Sequence, residues 1–263
     1  MKIAVCVKQV PNRDYPLTLT ADGQWIREEG LAWDINESDL YGIEAALQLK
    51  ERWGGEVLVL AVGPQRMTET LRKALAMGCD RAVLIDDARI PLTSPYCVGR
   101  VLAHVLSGES PDLVITGIAS DDLGFAQTAG VIAESLGYES LPLVIGLDAP
   151  EARRLHIRQE LEGGVFDEIE LELPAVIMIQ SGANSPRYAS LRGIMMARKK
   201  PLEVKTLADI GFPVEQLRGT HGTIEWLGME IPVQTTRVEL LEGTPEEVAE
   251  RLLEKLKKEA KVL

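Results

Sequence analysis

The sequence predicts an α/β protein: a parallel sheet with helices on both faces, extended by an antiparallel hairpin and an irregular C-terminal arm. Three observations carry this expectation. Four apolar runs are each followed by a helical pattern, and successive β-then-α units build parallel sheets. The runs are rich in Val and Leu with little polar alternation, as strands buried on both faces require. Gly or Pro punctuates almost every junction.

In chain order, KIAVCVKQV (2–10) reads as a strand. SDLYGIEAALQLKERWGG (38–55) reads as a helix capped by Ser38 and stopped at Gly54–Gly55. EVLVLAVG (56–63) is the second strand, and QRMTETLRKALAMG (65–78) a helix that puts Met67, Leu71, Ala74 and Leu75 on one face. RAVLID (81–86) and SPYCVGRVLAHVLSG (94–108) repeat the unit, with Pro95 in the first helical turn. DLVITG (112–117) and GFAQTAGVIAESLG (124–137) repeat it again. The pattern then changes: HIRQELEGG and FDEIELEL alternate as an antiparallel hairpin does, and LPAVIMIQ (173–180) is apolar enough to rejoin the main sheet. Beyond residue 201 the chain looks irregular until TPEEVAERLLEKLKKEAKVL, where Thr244, Pro245 and Glu247 spell a capped helix start.

The 263 residues suffice for one large domain with appendages. A net charge of −12 disfavours nucleic-acid partners, which need basic surface. No apolar run of about 18 residues offers a membrane span, and MKIAVCVKQVP is too short in apolar residues for a signal peptide. Cys6, Cys79 and Cys97 are isolated, which argues against a disulfide framework or zinc site and for a reducing, cytoplasmic setting. His104, His156 and His221 have no metal-ligand spacing, and the nucleophile-elbow, P-loop and G-x-G-x-x-G motifs are absent. Catalysis by the chain's own acid–base or nucleophilic groups is disfavoured.

A parallel sheet binds ligands at the carboxyl ends of its strands. Three such ends draw notice: Cys6 before Pro11, Val62-Gly63-Pro64, and the 116–130 stretch, where Asp121–Asp122 and Gly124 precede a helix. Amides at that helix start, with Gln127 and Thr128, suit a phosphate. Asp122 as a plain helix cap is the alternative, and Asn36 in INESD either sits in a turn or reaches the same cleft. The C-terminal helix gathers Val248, Leu252, Leu253 and Leu256 near one face, for intramolecular docking or a partner.

SPRYASLRGIMMARKKP (185–201) stands apart. It holds Arg187, Arg192, Arg198, Lys199 and Lys200 without an acid, and among them Tyr188, Leu191, Ile194, Met195 and Met196. A solvated loop rarely needs such an apolar cluster, and methionine repacks readily, so the segment reads as an interaction site.

MKIAVCVKQVP, ALAMGCDRAVLI, PDLVITG, DDLGFAQT, LPAVIMI and SPRYASLRGIMMARKKP occur in an order and spacing that resembles the β subunit of electron-transfer flavoproteins over nearly the whole chain. PRYASLRGIMMARKK is the most specific part, matching the family pattern PRYxxLxxIMxAxKK. The resemblance implies a nucleotide-binding fold, Rossmann-like and akin to adenine-nucleotide α-hydrolases, over 1–200 including a recognition loop at 185–200. It implies a C-terminal arm and helix over 201–263 packing on an α subunit. The function implied is a non-catalytic electron carrier. Its heterodimer takes electrons from acyl-CoA dehydrogenases and related flavoenzymes and delivers them to a quinone-linked oxidoreductase, with FAD held mainly by the α subunit.

The same resemblance implies a structural AMP site at Cys6, Asn36 through Asp39, Val62 and the loop Ala119–Gly130, with Asp122, Gly124, Phe125, Ala126, Gln127 and Thr128 favoured within it. It assigns partner recognition to Tyr188, Leu191, Ile194 and Met195, Leu191 matching an anchoring leucine, and makes Glu160 an acid that positions the FAD domain. Departures exist: GIASDD stands where many members have GKQAID, while VKQVP and GQWIREEG are similar to members that bifurcate electrons with a second FAD in this subunit. AMP is the expected ligand and a second FAD the alternative; a nucleotide-sensing homodimer of the stress-protein type is a further reading.

Overall fold

The computed structural model describes residues 1–217, 226–232 and 238–262. Its elements in chain order are β1 (Lys2–Cys6), β2 (Gln9–Pro11), β3 (Trp33–Ile35), α1 (Glu37–Trp53), β4 (Glu56–Val62), α2 (Met67–Met77), β5 (Arg81–Ile85), α3 (Pro95–Glu109), β6 (Leu113–Gly117) and α4 (Thr128–Leu136). There follow β7 (Glu139–Glu151), β8 (Arg154–Glu160), β9 (Phe166–Glu172), β10 (Ala175–Ile179), α5 (Leu191–Ala197), β11 (Leu202–Lys205) and α6 (Pro245–Lys255). The chain divides into two compact units, Met1–Leu227 and Gly228–Leu263.

Nine strands form one sheet in the order β11-β5-β4-β1-β6-β10-β7-β8-β9. From β11 to β7 every pairing is parallel; β7, β8 and β9 then pair antiparallel. Two buried clusters sandwich the parallel part. One joins the sheet to α1 and α2 through Ile43, Leu47, Leu71 and Leu75; the other joins it to α3 and α4 through Val101, Leu106 and Ile132. The α/β class and the antiparallel hairpin are therefore as the apolar patterning predicts.

Strand order reverses beside β1. The chain steps from β1 to β4 and β5 on one side, with α1 and α2 on one face, and then crosses to β6 on the other side. Such a reversal opens a crevice beyond the strand ends.

Several local expectations need correction. Ser38 is not the cap of α1: Asn36 occupies that position without a side-chain capping bond, and Ser38 Oγ donates to Ala119 O at 3.0 Å. Asp122 does not cap α4 either, since the helix begins at Thr128 and the carboxylate pairs with Lys8 at 2.6 Å. Residues 202–205, left in the irregular tail by the sequence pattern, form β11 against β5. Gln9–Pro11 and Trp33–Ile35 make a separate two-stranded sheet that the apolar pattern, too short there, does not announce. By contrast, Pro95 opens α3 under a Ser94 cap, and Thr244 with Glu247 forms a complete capping box on α6.

Within the second unit α6 stands on that box and on Lys255–Glu239 and Lys258–Glu254 pairs at 2.9 and 2.6 Å. Leu252 and Leu253 remain about half exposed.

Candidate functional site: a cleft over the strand ends and an exposed docking helix

The crevice at the switch point is a cleft with about 1120 Å³ of open space, counting its mouth. Its floor is the carboxyl ends of β6, β1 and β4: Thr116–Gly117, Cys6 and Val62. Gly117 is required there, because a Cβ would lie 2.1 Å from Ser38 Oγ and 2.4 Å from an Asp39 carboxylate oxygen. Asp39 is buried and accepts from the amides of Lys8 (2.7 Å) and Gly117 (2.9 Å), tying β1 to β6 where the strands part. Burial pushes its carboxyl up to about 7, against the pull of those amides and of Asn36 and Lys8. Burial also pushes the Cys6 thiol up to about 12, with Asp39 adding to it, so Cys6 contributes bulk rather than a thiolate.

Asn36 organises one wall. Its Nδ2 donates to Ala119 O (2.9 Å) and Ser38 Oγ (3.0 Å), and its Oδ1 accepts from the Asp121 amide (2.9 Å). The loop so fixed passes through left-handed backbone at Gly124 (φ 65°) and Ala126 (φ 54°) and then enters α4. Gln127, at the cap position, makes no capping bond, which leaves the first amides of α4 beside the cleft. Lys8 Nζ meets Asp122 at 2.6 Å; Arg13 meets Asp121 at 2.5 Å and Glu37 at 3.0 Å. Both acids of the loop are thus neutralised by bases from the segment after β1.

Gln9, Trp33 and Arg66 complete the lining on the α2 side. The Arg66 guanidinium lies 4.0 Å over the Trp33 ring and pairs with Glu28 at 3.1 Å. Gln9 Nε2 donates to Thr70 Oγ1 at 2.8 Å, whereas Gln9 Oε1 and Arg66 Nε are buried without a partner among the described residues.

The structure brings Cys6, Asn36, Asp39, Val62, Ala119, Asp122, Phe125, Ala126, Gln127 and Thr128 onto this one lining; Gly124 shapes the loop without lining it. Lys8, Gln9, Trp33, Arg66 and the base partners of Asp121 escape sequence reasoning. Lys8 and Gln9 were reachable, since they directly follow a strand end; Trp33 and Arg66 arrive from distant segments with no local signal.

Residues 185–200 fold onto α1 and α2 and present a short helix. Arg187 grips buried Glu44 through Nε (2.7 Å) and Nη2 (2.9 Å) and Glu51 through Nη1 (2.5 Å). Burial acts to raise the Glu44 carboxyl, but its bonds to Arg187 and Gln48 outweigh that and hold it below the usual range. Lys200 Nζ donates to Leu75 O (2.9 Å) and Cys79 O (2.6 Å), closing the end of α2, while Arg72 donates to Ala197 O (2.6 Å) and Lys200 O (2.8 Å). Two of the five bases are therefore inward anchors. Arg192, Arg198 and Lys199 make no ion pair among the described residues. Between the anchors, α5 under its Ser190 cap leaves Tyr188 98%, Leu191 83% and Met195 72% exposed, with Ile194 about half exposed.

Glu160 ends β8 and accepts from Gln180 Nε2 at 2.6 Å, apart from both the cleft lining and α5. His104 bonds Ile210 O and His156 lies 3.3 Å from Glu170; His221 lies outside the described residues. No metal-ligating cluster exists among the described residues.

The electron transfer flavoprotein domain model matches residues 24–210. The chain is 38% identical to the electron transfer flavoprotein subunit beta of Methylophilus methylotrophus over 97% of each chain. It is 38% identical to that of Bacillus subtilis over 90% of this chain and 91% of the relative, and 34% identical to that of Bradyrhizobium diazoefficiens over the full length of both. With the domain match spanning most of the sheet and these relatives spanning the whole chain, the chain belongs to the electron transfer flavoprotein family, among its β subunits.

Proposed function

We propose that this chain pairs with an α subunit to form a soluble, cytoplasmic electron carrier, holds AMP in the switch-point cleft, and receives electron donors at α5. Membership of the family makes the role electron transfer associated with a flavin. The finer reading places FAD mainly in the partner, acyl-CoA dehydrogenases and related flavoenzymes upstream, and a quinone-linked oxidoreductase downstream. Among the described residues no helix is long and apolar enough to cross a membrane.

One observation carries the nucleotide assignment: the open start of α4 faces the cleft with no side-chain cap, after a loop bent through two left-handed residues. Unpaired amides at a helix start attract a phosphate, and the acids nearby are already paired with Lys8 and Arg13. The residues present fit an adenylate. Cys6, Asp39, Val62 and Ala119 would line it, with Asp122 and Phe125–Thr128 at its phosphate. Bound there, AMP would supply no redox chemistry, only ligand contacts between the strand ends.

The docking assignment rests on α5, whose apolar tip is held out by inward anchors at both ends. Glu160 is assigned to positioning the flavin-bearing domain, and the segment beyond residue 200, with α6, to the α subunit.

The test is to co-produce the chain with its α subunit, denature the purified heterodimer and quantify released nucleotides. One AMP and one FAD are expected. Two FADs without AMP would replace this reading with that of an electron-bifurcating member. A homogeneous single chain that binds AMP or ATP and has no second subunit would make it a nucleotide sensor.

A further inference from the structure

The nucleotide reading, on which this inference rests, leaves the α2 end of the cleft without a task. Three neighbouring strands, β6, β1 and β4, form the cleft floor. Adjacent strands lie about 4.8 Å apart, so β6 and β4 are separated by about 10 Å. α4 follows β6 and α2 follows β4, and the two helices belong to opposite faces of the sheet. A phosphate held at α4 therefore carries its base toward Val62, Gln9 and Arg66.

Polar chemistry at that end is incomplete in a specific way. Gln9 is 8% exposed, and its amide nitrogen is spent on Thr70 while Oε1 has no partner. Arg66 is held flat against Trp33 and paired with Glu28, yet its Nε is also orphaned. Buried polar atoms are almost always paired, so an orphan acceptor and an orphan donor beside one cleft mark a missing donor–acceptor edge. Adenine presents such an edge, a 6-amino donor next to ring-nitrogen acceptors; guanine places an oxo acceptor at the same position. The terminal amide torsion of glutamine is soft, and the Thr70 hydroxyl both donates and accepts, so Oε1 reaches the cleft by a turn of the amide that keeps Thr70 as a neighbour.

We propose that Gln9, supported by Arg66 on its Trp33 platform, reads the six-position of the bound purine and selects adenine over guanine. A guanine there sets its oxo group against Gln9 Oε1, acceptor against acceptor.

The experiment uses the intact heterodimer stripped of nucleotide. Dissociation constants for AMP and GMP are measured for the wild type and Gln9→Leu, with thermal unfolding of the stripped complexes as a check on folding. The wild type prefers AMP, and Gln9→Leu narrows the AMP-over-GMP ratio by roughly tenfold, the effect of one hydrogen bond, without changing the unfolding of the stripped complex. If Gln9→Leu does not assemble, Arg66→Gln carries the same comparison and must also narrow the ratio. An unchanged ratio in a variant that still binds AMP overturns the base-reading role and leaves the nucleotide site standing. A wild type that binds neither AMP nor FAD overturns both. The comparison holds whether the natural occupant is AMP or the adenylate half of FAD.

Discussion

Asp39 shows how one side chain holds the cleft open at a cost that depends on pH. Its folded value of about 7 exceeds the ordinary aspartate value of about 3.9, because burial penalises the charge. Between those limits the folded chain binds more protons at Asp39 than the unfolded chain, so this residue's contribution to stability falls as pH rises through the window. Denaturant unfolding of stripped wild type and Asp39→Asn should show the gap between them shifting in the variant's favour from about pH 4 to about pH 7. A gap that stays constant across that window would refute the assignment. Glu44 has the opposite sign: its lowered carboxyl contributes stability above the ordinary glutamate range and loses it on acidification. Arg187→Ala leaves that buried carboxylate unpaired, so it should destabilise the chain by about 3–5 kcal/mol near neutral pH and by less in acid. Neither effect is visible in the sequence, where Asp39 looks like a helix-start acid and Arg187 like one more charge in a basic run.

At the scale of elements, α5 and α2 form the informative pair. A Cβ on Gly193 would lie 2.3 Å from Ala76 O, so Gly193→Ala must push α5 away from α2 although alanine is the better helix former. The expected result is slower electron acceptance from a donor dehydrogenase with AMP content unchanged. Leu191→Ala tests the tip itself. Being 83% exposed, it should change stability by less than about 0.5 kcal/mol, while donor docking weakens by about 1–3 kcal/mol as for a hot spot. Equal rates for Leu191→Ala and wild type with every donor tried would remove Leu191 from the docking site. The sequence marks the long elements well, because Val- and Leu-rich runs and Gly stops are local signals. It hides β11 and the β2–β3 pair, whose three or four residues gain their structure from partners elsewhere in the chain. The Ser38 and Asp122 caps fail for a related reason: both side chains are taken by distant partners, Ala119 O and Lys8.

For the whole molecule, charge and topology act together. The chain carries a net charge of −12, yet Arg192, Arg198 and Lys199 stand without ion pairs around an apolar tip. If these cations steer an acidic donor surface, electron acceptance should slow as ionic strength rises through the range where the Debye length drops below about 10 Å. A rate indifferent to salt would confine their role to contact. The position of the cleft was legible from sequence to the extent that three strand ends were marked by Cys6, Val62 and Gly117. The reversal of strand order that brings those ends together was not, since the crossing from β5 to β6 leaves no trace in any one segment.

One helix serves two places. The residues that open α2, Arg66 and Met67, line the cleft, and its last carbonyls are held by Lys200 at the base of α5. An electron-flow assay alone therefore cannot diagnose a lesion in α2: an emptied cleft and a misplaced α5 give the same slow trace. Each α2 variant has to be scored for bound nucleotide in the same preparation as its rate, and only a preparation that keeps its nucleotide reports on docking.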